Sequence, residues 1–169
     1  MITTTSADFR IRPAQKQDAR LILDLIKQLA TYEKLAHTVV ATEAIIEDKL
    51  FGKKPSAEVI IGEFKNKPVG FALFFHNYST FTGKPGIYLE DLFIVPEHRN
   101  KGYGKIILSY LAKLAVERDC TRLEWSVLDW NEPSIQFYKN LGAVPMNEWI
   151  SFRLSGDALS SLASAFQST

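Results

Sequence analysis

Three apolar stretches in the middle of the chain, joined by short connections, constrain the fold more than any other feature. They are EVIIGEF (58–64), VGFALFFHN (69–77) and IYLEDLFIV (87–95), and each has the length and residue types of a strand. Parallel neighbours need a crossover of a dozen or more residues, which the turn 65–68 and the loop 78–86 are too short to supply. These three strands are therefore predicted to be antiparallel neighbours.

Helices and further strands are predicted on both sides of this antiparallel unit. A later strand–helix–strand run can be parallel, so we expect the α/β (α+β) class, with a mixed, mostly antiparallel central sheet flanked by helices. The predicted elements are strand 9–13, helix 17–35, helix 42–52 with Thr42 as N-cap, helix 102–118, strand 122–128, helix 131–142 with Asn131 as N-cap, strand 149–154 and a weak helix over 156–166.

Composition limits the kinds of partner. The 169 residues suit a single domain, 1–169, in which residues 1–7 are expected to be disordered. A net charge of +1 gives no overall attraction to nucleic acid or to an anionic membrane. No apolar run approaches a membrane span, so we expect a cytoplasmic protein without membrane or nucleic-acid partners. The three histidines lack metal-ligand spacing, and no metal site is expected.

A glycine-rich stretch, RNKGYGK (99–105), lies between the third strand and the next predicted helix. Its glycines allow a ligand to approach the main chain closely, and the helix that follows offers unpaired N–H groups. Arg99, Lys101 and Lys105 add positive charge. The spacing is neither a P-loop nor the dinucleotide fingerprint. It indicates either an anion cradle or a plain strand-to-helix turn with solvated cations.

The segment LFIVPEHRNKGYG resembles the acyl-CoA-binding motif of the GNAT N-acetyltransferase superfamily. The resemblance implies the GNAT fold and acetyl-CoA as cosubstrate. It also implies that main-chain groups of the loop hold the CoA pyrophosphate and that the preceding strand hydrogen-bonds the pantetheine arm. The implied cosubstrate-binding residues are Leu92, Phe93, Ile94, Val95, Asn100, Lys101, Gly102, Tyr103, Gly104, Lys105, Asn131 and Ser134.

Three longer stretches narrow the resemblance. YLEDLFIVPEHRNKGYG, VLDWNEPSIQFYKNLGA and LIKQLATYEKL are similar to the diamine (spermidine/spermine) acetyltransferases and to the thialysine N-acetyltransferases. The branch acetylates small cationic amines and is homodimeric, which the resemblance implies here. The chain departs from the polyamine enzymes at VPMNEW (144–149) and YSTF (78–81), where it has fewer carboxylates. Fewer carboxylates favour a short amine such as thialysine or a small diamine over spermine.

Two carboxylates stand mid-strand, directly before the pantetheine segment. Glu90 and Asp91 are adjacent, so strict alternation would point them to opposite faces of the sheet. A carboxylate in an apolar strand is costly unless it is used or paired, for instance with Arg12 or Arg122. By the resemblance, Glu90 is the general base acting through a water, whereas Asp91 holds the substrate or the architecture.

Tyr138 lies in the helical pattern NEPSIQFYKNLG. Spacing alone favours an ordinary amphipathic aromatic in the core. The resemblance instead implies that Tyr138 protonates the departing CoA thiolate. A phenol with an ordinary pKa of about 10 remains protonated at neutral pH, above the value of about 8.5 for a thiol, and can donate.

Further residues are implied for the amine site. Tyr32 and Glu33 end the first predicted helix, and Glu148 lies near the last predicted strand. Taken without the resemblance, Tyr32 and Glu33 are a solvated helix end. Two other functions stay open: a non-catalytic acyl-CoA binding or sensing module, and an acetyltransferase for protein lysines or N-termini. The presence of both Glu90 and Tyr138 favours the small-amine enzyme, because a sensor needs neither.

Overall fold

The computed structural model describes residues 2–3 and 8–166, which divide into two compact units, Met1–Ser126 and Val127–Thr169. The first unit contains a six-stranded sheet with the strands in chain order. The first four pairings are antiparallel and the last is parallel, so the predicted mixed sheet is confirmed. The strands are β1 (Ile2–Thr3), β2 (Phe9–Pro13), β3 (Glu58–Phe64), β4 (Lys67–Ser79), β5 (Lys84–Ile94) and β6 (Leu123–Trp125).

The described residues of the two units contain five α-helices, and each confirms a prediction with slightly shorter bounds. Thr42 caps its helix as expected, since its side chain accepts a hydrogen bond from the Ile45 N–H at 3.3 Å. Within the described ranges, no helix is long and apolar enough to cross a membrane. The helices are α1 (Ala19–Tyr32), α2 (Glu43–Phe51), α3 (Tyr103–Glu117), α4 (Glu132–Asn140) and α5 (Gly156–Ser164).

The β4–β5 hairpin is longer than predicted. The expected loop 78–86 is wrong for most of its length, because Tyr78 pairs with Pro85 and Ser79 with Lys84. Only a tight turn of four residues separates the two strands. The sequence did not indicate this extension, because polar residues and glycines have low strand propensity. The hydrogen-bonded pairing of β4 and β5 nevertheless continues through them.

The core of the first unit lies where α1 packs on the sheet. Ile22, Leu25 and Leu29 of α1 are buried in one cluster with Ile61, Phe71 and Phe93 from three successive central strands. On the opposite face, Tyr103 at the start of α3 stacks on Phe9, with ring centroids 4.1 Å apart. Helices α1 and α3 thus fix β5 between them, and β5 carries the candidate site.

Arg12 ties β2 to the turn that precedes α1. Its guanidinium donates to both carboxylate oxygens of Asp18, at 2.7 and 2.9 Å, and its Nε donates to Glu63 at 2.7 Å. The hydrogen bond from Arg12 lowers the pKa of Asp18 below its ordinary value. Arg12 is therefore committed to this network and is not a partner of Glu90 or Asp91.

The N-terminal segment is only partly described. Ile2 pairs with Ile11 and Thr3 with Arg10, so these two residues form a short edge strand within the segment expected to be disordered. The other residues of 1–7 lie outside the described part of the chain.

The second unit contains α4 and α5 but no strand in its described residues. The predicted strand 149–154 is wrong. Its apolar side chains are exposed, Phe152 at 94% and Ile150 at 79%. The segment has the apolar pattern of a strand, but a strand also needs a partner for its main chain, and none pairs with it here.

Candidate active site

A β-bulge places Glu90 at a break in the sheet. Leu73 of β4 pairs with Asp91, and the next residue, Phe74, pairs with Leu89, so Glu90 has no residue opposite it on β4. A bulge bends the strand and re-aims side chains, which interrupts strict alternation. The expectation that Glu90 and Asp91 follow simple alternation therefore does not hold at this point. The periodicity of the sequence contains no signal for the bulge.

The outer edge of β5 is open beside this bulge. The parallel pairing with β6 ends at Leu89 opposite Trp125, whereas β5 continues to Ile94. Among the described residues, no strand pairs with this edge over 90–94. Main-chain groups there suit a ligand with amide groups, as the pantetheine arm of CoA has. Val95 was also expected to bind the pantetheine arm, but its N–H is not available to a ligand because it already donates to the Val69 carbonyl at 2.9 Å.

The loop before α3 has the form of an anion cradle. Asn100 and Gly102 have left-handed backbones, with φ of 60° and 82°, and Gly102 is the N-cap residue of α3. A Cβ on Gly104 would meet nothing within 4 Å, and its backbone is not left-handed, so neither packing nor conformation requires glycine there. A ligand that approaches the main chain closely would explain it. The residues present therefore fit the phosphates of acetyl-CoA.

Two predicted cosubstrate residues use their side chains elsewhere. The Phe93 side chain is part of the core cluster, and the Tyr103 ring is stacked on Phe9. Only their main-chain groups are available to a ligand. Lys101 and Lys105 are exposed, and the Lys101 ammonium donates to the Glu97 carbonyl at 3.0 Å.

Asp91 at the bulge feels the negative charges of two further carboxylates, Glu33 and Glu90. Burial raises the pKa of Asp91 to about 6, and the negative charges of Glu90 and Glu33 add to the rise. Burial also raises the pKa of Glu33. Arg122 pairs with Glu124 rather than with these groups, and within residues 8–166 no ion pair reaches them. The structure thus brings together Glu33, Glu90 and Asp91, as an amine site requires.

Tyr32 at the end of α1 contacts a residue that sequence reasoning had placed elsewhere. The Arg99 guanidinium lies over the Tyr32 ring at 4.3 Å from its centroid and over the Phe93 ring at 5.4 Å. Its Nε donates to the Ile94 carbonyl at 2.9 Å. Arg99 therefore turns its charge towards α1, although its position in RNKGYGK suggested the cradle. Tyr32 and Arg99 are 67 positions apart in the numbering, so no local sequence pattern could have predicted their contact.

The second unit carries the remaining predicted residues. Asn131, Ser134 and Tyr138 follow one another at intervals of three and four, which puts them on one face of α4. Asn131 is buried, and Ser134 and Tyr138 are half-buried. Asn131 occupies the N-cap position as predicted, although its side chain makes no capping hydrogen bond. Glu148 is exposed in an irregular segment.

Metal-ligating side chains do not cluster in the part of the chain that the structure describes. No group of three or more His, Cys, Asp or Glu residues there could hold an ion. The ring of His98 packs against Phe64, with centroids 5.2 Å apart, and His76 lies on β4.

These features define the class of the protein. The model of the acetyltransferase (GNAT) family matches residues 22–143, which is more than half of the chain. The chain belongs to this family, and the prediction of an acetyl-CoA-dependent N-acetyltransferase is confirmed. The match includes the bulged strand, the cradle and the helix with Tyr138.

Individual relatives indicate the branch of the family that this chain resembles. The chain is 36% identical to the thialysine N-ε-acetyltransferase of Mus musculus, over 93% of this chain and 98% of the relative. It is 34% identical to an L-ornithine N5-acetyltransferase of Arabidopsis thaliana, over 90% and 87%. An integron cassette protein from V. cholerae has a similar structure, with a TM-score of 0.79 and 25% identity, covering 94% of this chain and 99% of its own. The predicted branch and fold class are confirmed.

Proposed function

We propose that the protein transfers the acetyl group of acetyl-CoA to the primary amine of a small cationic substrate, with a thialysine-like amino acid or a short diamine as the substrate class. The observation that carries the proposal is the set of unneutralised carboxylates at the β5 bulge, next to the open strand edge. A carboxylate whose pKa is raised by burial and by like charges is stabilised by an incoming ammonium ion. The two relatives named above act on amino acids with a side-chain amine.

Acetyl-CoA would bind along the open edge of β5 and at the start of α3. Leu92, Phe93 and Ile94 offer main-chain groups to the pantetheine arm. The cradle 100–105 offers main-chain N–H groups and two lysines to the pyrophosphate. On α4, Asn131 and Ser134 are proposed to contact the cosubstrate, which is consistent with the face they share with Tyr138.

Side chains would then move two protons. When bound, acetyl-CoA supplies an acetyl thioester, whose C–S bond breaks as the new C–N bond forms. Asp91 and Glu33, with Tyr32 and Glu148, hold the cationic substrate. Glu90, which is exposed and can contact water, accepts through a water molecule the proton that the ammonium loses. Tyr138 donates its phenolic proton to the departing sulfur.

Replacement of Gly104 by alanine should affect the stability of the fold and the binding of acetyl-CoA in opposite ways. Because a Cβ at this position meets nothing and the backbone is helical, Gly104→Ala should raise the free energy of unfolding by up to about 1 kcal/mol. The same methyl group would keep the phosphates from the main chain, so the KM for acetyl-CoA should rise at least about tenfold. Chemical denaturation and steady-state kinetics measure the two effects.

The control for this substitution is Ser109→Ala, at an exposed position further along α3. It should leave the KM for acetyl-CoA unchanged. A Gly104→Ala protein that bound acetyl-CoA as tightly as the parent would argue against close approach of a ligand at this loop.

A homodimer is proposed on the exposed apolar surface of the second unit. Trp149, Ile150 and Phe152 expose most of their side-chain surface, as do Val144 and Phe166. Apolar exposure of this extent is typical of an interface, and a second copy of the chain would cover it. Light scattering during size-exclusion chromatography should give twice the chain mass of 19.1 kDa. A mass of one chain at micromolar concentration would contradict the dimer.

The test of the proposed function is release of the CoA thiol from acetyl-CoA in the presence of different amines. Thialysine, ornithine, lysine, putrescine, spermidine, spermine and a lysine-containing peptide form the panel. We expect turnover with the short amines and little with spermine. Turnover with the peptide alone would indicate a protein acetyltransferase, and CoA binding without any turnover would indicate a sensing module.

A further inference from the structure

An aromatic pair occupies the same face of the sheet as Asp91. Phe75 of β4 stands opposite Tyr88 of β5, with ring centroids 5.3 Å apart. Leu73 stands opposite Asp91, and because the extra residue of the bulge is on β5, Leu73 and Phe75 alternate normally and point to one face. Side chains directly opposite each other share a face. Asp91 and the aromatic pair therefore belong to neighbouring cross-strand pairs on that face.

Both rings of the pair are only partly covered. The face is the one on which α1 packs, since Leu73 contacts the core cluster of α1. Phe75 and Tyr88 are half-buried there, whereas Phe74 on the opposite face is 1% exposed. Part of the surface of the two rings is thus accessible to a ligand.

The accessible surface of the pair is apolar. The Tyr88 hydroxyl lies 2.8 Å from the hydroxyl of Ser126, the residue that directly follows β6, so its hydrogen-bonding capacity is already engaged. Phe75 has no polar group in its side chain. What the pair offers to a ligand is therefore ring carbon, which suits methylene groups or a thioether.

We propose that Phe75 and Tyr88 form an apolar wall that contacts the carbon chain of the amine substrate and sets which chain lengths bind well. This inference rests on the proposed function and deepens it. Successive same-face positions on β4 are about 6.7 Å apart, and an extended chain advances roughly 1.2 Å per bond. An amine held at the Asp91 pair would therefore extend along the wall with a chain of about four to six atoms. Thialysine and the short diamines have chains of this length.

The experiment measures the n-alkylamines from ethylamine to hexylamine as competitive inhibitors of the amine that the protein acetylates best. This series changes apolar length at constant charge. In the parent, each added methylene should lower the inhibition constant by about two- to fourfold. Tyr88→Thr and Phe75→Thr each remove a ring and keep a residue suited to a strand, and they should reduce this factor to less than about 1.5. Tyr88→Phe keeps the ring and should keep the factor of the parent.

The matched control is Tyr78→Thr. Tyr78 lies on the same strand three residues from Phe75, so it points to the other face, and it is 62% exposed. The control should keep the chain-length dependence of the parent. A substitution that only disturbs the fold would weaken all the amines by the same factor and leave this dependence intact.

Two results would overturn the proposal: inhibition by the parent that is independent of chain length, or ring variants that retain the dependence of the parent. Putrescine tests whether the rings hold a second ammonium ion instead. In that case putrescine would bind at least about tenfold more tightly than butylamine, would lose this advantage in Tyr88→Thr, and the alkylamines would show no trend. Turnover of a small amine with no chain-length effect removes only this inference, whereas no turnover with any small amine removes the proposed function itself.

Discussion

Asp91→Asn should make the protein more stable and much less active. In the folded chain the pKa of Asp91 is raised from 3.8 to about 6, so the folded state favours the protonated carboxyl more than the unfolded state does. The stabilising contribution of protonation is present below about pH 4 and is lost as the pH rises through about 6. At pH 7.5 the ionised carboxylate therefore destabilises the fold, and asparagine, which cannot ionise, should raise the free energy of unfolding by about 1–3 kcal/mol.

Activity should change in the opposite direction. Loss of a half-buried carboxylate that holds the substrate ammonium should lower kcat/KM for the amine by about two orders of magnitude. The parent should also lose kcat/KM as the pH falls through about 6, because protonated Asp91 cannot attract a cation. The pH profile of kcat/KM for Asp91→Asn should lack this decrease at acidic pH. Urea denaturation at several pH values and steady-state kinetics supply the measurements.

An isosteric control is available on α1. Asp24 exposes 46% of its side chain and pairs with Arg20 one helical turn away, so Asp24→Asn should change stability by less than about 0.5 kcal/mol and leave kcat/KM intact. For Asp91→Asn, the gain in stability should shrink as the pH falls towards 4. A variant that is less stable than the parent at pH 7.5 would refute the account of Asp91 as an unneutralised carboxylate.

Tyr138→Phe should lower kcat by roughly 10²- to 10⁴-fold, the usual contribution of a general acid. The substitution removes only the hydroxyl, and Phe137 beside it, with ring centroids 5.4 Å apart, shows that this helix accommodates two aromatic rings. Binding of acetyl-CoA should remain, because the main-chain cradle is untouched. Single-turnover thiol release measures the chemical step, and calorimetry measures binding.

Tyr78→Phe is the matched change for this test. Tyr78 lies on β4, is largely exposed and has no proposed role, so its loss of a hydroxyl should leave kcat unchanged. If Tyr138→Phe also retained kcat within about threefold, Tyr138 would be an ordinary helix aromatic. Another donor, or water, would then protonate the sulfur.

The antiparallel centre of the sheet could be predicted because it follows from short connections and local apolar patterns. Strand β3 and helix α2 agree with their predicted bounds to within one residue. The cradle was predictable for a similar reason, since glycines and a helix start are local features. Strand 149–154 failed because apolar pattern alone does not supply a partner for the main chain.

The details of the site depend on non-local geometry. The bulge at Glu90 arises from a shift in the pairing register between β4 and β5. The pKa of Asp91 depends in part on Glu33, which is 58 positions away in the numbering. The contact of Arg99 with Tyr32 joins a loop to a distant helix end. The family resemblance pointed to Glu90 and Asp91. The alternative ion pairs with Arg12 or Arg122 are not formed, and the bulge interrupts the strict alternation expected of the two carboxylates.

Transfer of the acetyl group from acetyl-CoA to a small amine is the reaction proposed for this protein. The most direct measurement is mass spectrometry of the amine, the CoA and the protein after incubation of the parent with acetyl-CoA and thialysine. We predict thialysine acetylated on its side-chain nitrogen, one CoA thiol released for each acetyl transferred, and no acetylated protein. Bound acetyl-CoA with unmodified thialysine, or acetyl groups found only on protein lysines, would contradict the claim.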